Sequence, residues 1–99
     1  MEKDKTILDL LERLKSSLDL TALKVVDHWP SDLCAIGLQK ENRLIYISTF
    51  NFANREKPGY DYDLELINRL DETNIYILKK GREASEDELI NEIKAFFEL

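Results

Sequence analysis

The chain of 99 residues contains one cysteine, one histidine, two prolines and three glycines. A single cysteine, Cys34, excludes an internal disulfide framework and points to a reducing compartment, so the expected location is the cytoplasm. Gly37, Gly59 and Gly81 stand alone, which excludes a glycine-rich loop cradling phosphate at a helix start. No apolar run approaches the ~18 residues of a membrane span. The opening MEKDKTILDLL mixes charged and apolar residues and lacks the unbroken apolar stretch of a secretory signal. Basic residues are also scarce: 14 Lys and Arg stand against 20 Asp and Glu, a net charge of −6. A nucleic-acid binder needs clustered Lys and Arg to displace counterions, so none is expected. The acidic excess is uneven, with 7 basic and 8 acidic groups in residues 1–50 but 7 and 12 in residues 51–99.

What is present describes one small domain over residues 1–99, large enough for a cooperative core without staples. Ile7, Leu11, Leu14 and Leu18 recur at helical spacing and predict a helix over residues 3–18. Ser85 followed by Glu88 is a capping-box pattern, and Leu89, Ile93, Phe96 and Phe97 predict a second helix over 85–98. Between them the period falls to two. Strands are expected at 23–28, 33–38, 43–49, 60–67 and 75–79, with Gln39–Asn42 turning the second into the third. Leu64, Ile67 and Leu70 also fit a short helix, but the alternation of Tyr60, Tyr62, Leu64 and Leu66 favours a strand. The expected fold is α+β: a mostly antiparallel sheet of five strands with an N-terminal and a C-terminal helix. Leu11, Leu14, Ile36, Ile45, Ile47, Ile77, Ile93 and Phe96 are its expected core.

Catalytic chemistry finds little support. His28 and Cys34 lie six residues apart around a turn, yet Cys34 sits in the apolar run LCAIGL, where cysteine is a small hydrophobe. Asp61, Asp63 and Glu65 offer oxygen ligands, but same-face residues on a strand are about 6.6–6.8 Å apart, too far for one ion to gather all three. No catalytic, metal or cofactor site is expected, and the chain is read as a non-enzyme.

A surface remains. Asp61, Asp63 and Glu65 form an acid row opposite Tyr60, Tyr62 and Leu64. The adjoining loop FNFANREKPG carries Phe50, Phe52 and Glu56. Aromatic anchors ringed by charge suit a protein partner, and the acidity suits a basic one. Phe50 and Phe52 could instead fold back over the core, and the acids could be a solvated strand face. The phrases DHWPSDLCAIGL, RLIYISTF and YDYDLEL resemble small bacterial immunity proteins of contact-dependent growth inhibition and related polymorphic toxin systems. That resemblance covers residues 25–66 and implies a cytoplasmic, non-enzymatic binder of a toxin domain, often a nuclease. The alternatives are an acidic nucleic-acid mimic, or a small homodimeric or regulatory interaction domain whose acids serve solubility alone.

Overall fold

Asp4 sets the start of the first helix. In the computed structural model, which describes residues 2–53, 55–71 and 73–99, its carboxylate accepts hydrogen bonds from the backbone and hydroxyl of Thr6. Helix α1 then runs over Lys5–Ser17 and buries Ile7, Leu10, Leu11 and Leu14. It ends where Leu18 turns extended, its N–H still bonded to the Leu14 carbonyl. The strands are β1 (Lys24–Val26), β2 (Ala35–Lys40), β3 (Arg43–Ser48), β4 (Tyr60–Ile67) and β5 (Ile75–Ala84). Helix α2 (Glu86–Phe97) follows, with the Ser85 hydroxyl accepting from the Glu88 N–H at 3.1 Å, as the capping pattern predicts.

The five strands form one antiparallel meander in chain order. The fold is the expected α+β arrangement, α-β-β-β-β-β-α. Lys40 pairs with Arg43, so the hairpin turn is only Glu41 and Asn42, with Glu41 in the left-handed region at φ 55°. It is tighter than the Gln39–Asn42 turn read from polarity, because polar residues also fit the half-solvated end of a strand. Residues 60–67 form a strand, not a short helix.

Register decides which side chains meet the helices. Ile36 faces Ile47, Leu38 faces Ile45, and these meet Tyr62 and Leu64 on β4. This face joins Ile7, Leu10 and Leu14 of α1 to Leu89, Ile93 and Phe97 of α2 in one core. Each such aliphatic contributes about 1.5–3 kcal/mol when fully buried. Arg13 ties the helices together, donating to Glu86 at 2.6 Å and to the Tyr60 hydroxyl at 3.1 Å. At the other end Arg43 and Lys40 donate to the Phe96 and Phe97 carbonyls, placing positive charge at the negative end of α2.

Two expected core residues need correction. Phe97, not Phe96, is fully buried; Phe96 packs partly exposed at the margin. Ile77 is half-exposed, because β5 is an edge strand and its Ile77 faces away from the helices. β5 also runs five residues past its expected end at Lys79. Within this extension Gly81 lies under the Tyr62 ring: a Cβ there would stand 2.0 Å from Tyr62 Cε1.

Candidate protein-binding surface

The sheet face turned away from the helices is assembled by the same alternation. Gly37 pairs with Tyr46 and Val26, Leu44 with Glu65, Tyr46 with Asp63, and Ser48 with Asp61. Trp29 leans across its middle, edge-on to Tyr46 with centroids 4.6 Å apart. The close approach depends on Gly37, where a Cβ would come within 2.8 Å of Val26 and 3.2 Å of Trp29. Lys3 secures the Trp29 loop from beneath: its buried ammonium donates to the Trp29 and Asp32 carbonyls and to the Asp27 carboxylate. That bond holds the Asp27 carboxyl below its ordinary pKa.

The acid row lies on this face, as alternation predicts, but it is not uniformly solvated. Asp61 is only 9% exposed. Its carboxylate accepts from the Asn51 side chain at 2.7 Å and from the Glu83 N–H at 3.1 Å. Glu83 sits at φ 53° where the β4–β5 pairing slips, so Asp61 satisfies a backbone donor at that irregularity. Asp63 pairs with Arg82 at 3.1 Å. Glu65 differs from both. It too is 9% exposed, flanked across the strands by Leu44 and Ile77, and among the described residues no donor reaches its carboxylate. Burial raises its pKa above the ordinary carboxylate value; the negative charge of Asp63 adds to the rise and His28 opposes it.

Beside Glu65 the face deepens into a hollow of about 710 Å³, lined by Lys24, His28, Gln39, Leu44, Ile67, Arg69 and Ile75 among others. At the opposite end a smaller hollow of about 240 Å³ gathers Tyr46, Ser48, Phe50, Asn51, Asp61 and Arg82. Comparison with known proteins returns nothing similar. No family model, no curated protein and no solved structure matches this chain.

The aromatic pair divides. Phe50 is 71% exposed and borders the small hollow with Asp61, on the same face as the acid row. Phe52 folds back, its ring against Gly59 and under the Arg55 guanidinium, 5.6 Å from the ring centroid. It lines a separate groove with Thr6, Arg13 and Tyr60 on the helix side. Glu56 is exposed on the loop and joins neither hollow. The structure thus brings Phe50, Asp61, Asp63 and Glu65 to one face and leaves Phe52 and Glu56 apart.

The residues that build this face include several the acid row did not point to: Trp29, Tyr46, Leu44, His28 and Arg82. For Leu44 and Tyr46 the signal was the second register of β3. Leu44, Tyr46 and Ser48 alternate with Ile45 and Ile47, and only a covered second face calls for Leu and Tyr there. His28 touches the Trp29 ring edge-on, while Cys34 is held in the turn before β2, its N–H on Asp32; no hydrogen bond joins His28 to Cys34 among the described residues. Among those residues, too, no three His, Cys, Asp or Glu side chains converge to hold a metal ion.

Proposed function

We propose that this chain is a non-enzymatic binding protein, of the immunity-protein kind, that neutralises a basic toxin domain by covering it with the open face of its sheet. The observation that carries this reading is Glu65: a largely buried side chain whose carboxylate has no donor among the described residues, beside a hollow, on a face whose other acids are already paired. An unpaired carboxylate in such a place is costly to folding. A Lys or Arg from a partner would supply the missing donor and complete a charge-assisted hydrogen bond. Trp29, Tyr46 and the exposed Phe50 supply the aromatic area that anchors protein interfaces. The net charge of −6 favours encounter with a cationic partner. Phe52 and Glu56 fall outside the central contact, Glu56 serving at most the charged rim.

The test is titration of a basic toxin domain encoded beside this gene against wild type, Glu65→Gln and Glu56→Gln, at low and moderate salt. Glu65→Gln should cost about 2–5 kcal/mol of affinity, as for one member of a desolvated pair, whereas Glu56→Gln should alter chiefly the association rate at low salt. Equal affinity of wild type and Glu65→Gln at both salts would overturn the proposal.

A further inference from the structure

The two edges of the sheet are built differently. β1 spans three residues, the short kind of edge that offers little for another chain to pair with. β5 spans ten, and among the described residues no backbone hydrogen bond from outside the sheet reaches it. Its first four residues are all apolar and exposed: Ile75 43%, Tyr76 54%, Ile77 50% and Leu78 56%. Proline and charge, which blunt natural edges, are absent from this stretch. The core does not need these side chains, and solubility argues against them.

Charge along the strand indicates what covers it. The turn leading into β5 carries Asp71, and its far half carries Lys79, Lys80 and Arg82. Parallel pairing of two copies would lay these bases on one another. Antiparallel pairing about a two-fold axis at Tyr76 sets Tyr76 against Tyr76 and Ile75 against Ile77. It also carries the Lys79–Arg82 segments of the two copies past opposite ends of the paired stretch, so their bases do not meet. Ile75 and Ile77 share the open face, since they pair with Ile67 and Glu65, so the cross-strand apolar partners match in face as well as position. The edge is therefore self-complementary, as an isologous interface must be.

We infer that two copies of this chain associate through antiparallel β5–β5 pairing, joining their sheets into one continuous antiparallel sheet. This goes beyond the binding of a basic partner proposed above and rests on the β5 edge, although Ile75 and Ile77 also border the Glu65 side of the open face. The dimer leaves Trp29, Tyr46 and Phe50 accessible on each copy.

The test is sedimentation velocity of the full chain from low to high micromolar concentration. Wild type should reach twice the chain mass of 11.6 kDa. Tyr76→Lys places two ammonium groups directly opposite each other and should weaken association by about tenfold or more. Leu70→Ser, at a fully exposed apolar residue outside the strand, should leave the mass unchanged. Tyr76→Cys in a Cys34→Ser background should form an intermolecular disulfide, because residues opposed across antiparallel strands lie within disulfide reach. A wild type that stays at monomer mass throughout overturns the inference. So does a folded Tyr76→Lys variant that dimerises as tightly as wild type, or failure of the Tyr76→Cys protein to cross-link.

Discussion

Replacing Glu65 by glutamine keeps the side chain's shape and removes its charge. In the native state the Glu65 residue is 9% exposed, lies between Leu44 and Ile77, and its carboxylate finds no donor among the described residues. Asp63 stands two residues along the same strand face, about 6.8 Å away by the strand repeat, and repels it. Leaving a buried polar group unsatisfied costs about 1–3 kcal/mol. Solvent still reaches the carboxylate oxygens, since among the described residues no fully buried side-chain oxygen lacks a partner, so a gain of about 1 kcal/mol for Glu65→Gln is the appropriate scale. For a domain of this size that raises Tm by about 4–8 °C. The pH dependence fixes the cause. Glu65 has a folded pKa above its ordinary value of 4.5, so the native state holds the proton more tightly than the unfolded chain. The penalty is therefore complete at neutral pH, shrinks as pH falls through the folded pKa, and vanishes below 4.5. Urea unfolding of both proteins between neutral pH and about pH 4 measures this directly. A glutamine variant no more stable at neutral pH, or an advantage that persists undiminished in acid, would refute the unpaired-carboxylate argument. The same substitution should weaken partner binding. A change that stabilises the fold while weakening binding separates a recognition group from a structural one.

Asp61→Ala should act in the opposite sense, destabilising by about 1–3 kcal/mol because the Glu83 N–H and the Asn51 amide lose their acceptor. Chemical denaturation checks it; an unchanged midpoint would mean that water replaces the carboxylate freely. Gly81→Ala should cost about 1–3 kcal/mol by displacing the Tyr62 ring, with near-ultraviolet dichroism reporting the shift. Phe97→Ala should cost about 3–5 kcal/mol and Phe96→Ala clearly less, a ranking that thermal unfolding of the pair would reverse if the helix faces were misassigned.

The helices and strands were legible in the sequence because each depends on local information. The Ser85 cap, the leucine stripe of α1 and the β-branched run of β3 each act within a few residues, and the structure places all three as their patterns predict. The misses share a different cause. Ile77 has the same apolar character as Ile45, but burial depends on strand order, and β5 lies at the edge. Phe96 and Phe97 differ by one helical step of 100°, too fine for a stripe of that width to rank. The fifth strand reads as stopping at Lys79 because the tyrosine that covers Gly81 lies on another strand. In each case the deciding partner is distant in sequence.

The acid row YDYDLEL illustrates why alternation alone understates a strand face. Period two correctly assigns Asp61, Asp63 and Glu65 to the side opposite the core, but it assumes that side meets water evenly. Here it does not. Trp29, held down through Lys3, turns the middle of the face into a partly covered surface, and the slip in β4–β5 pairing leaves a backbone donor for a side chain to satisfy. Three acids with one spacing thus come to three chemical situations: a backbone acceptor, an ion pair with Arg82, and a carboxylate without a donor. Neutralising all three together would mix a loss of stability at Asp61 with a gain at Glu65 and conceal both. Only the single substitutions distinguish the acid that holds the sheet from the acid left available to a partner.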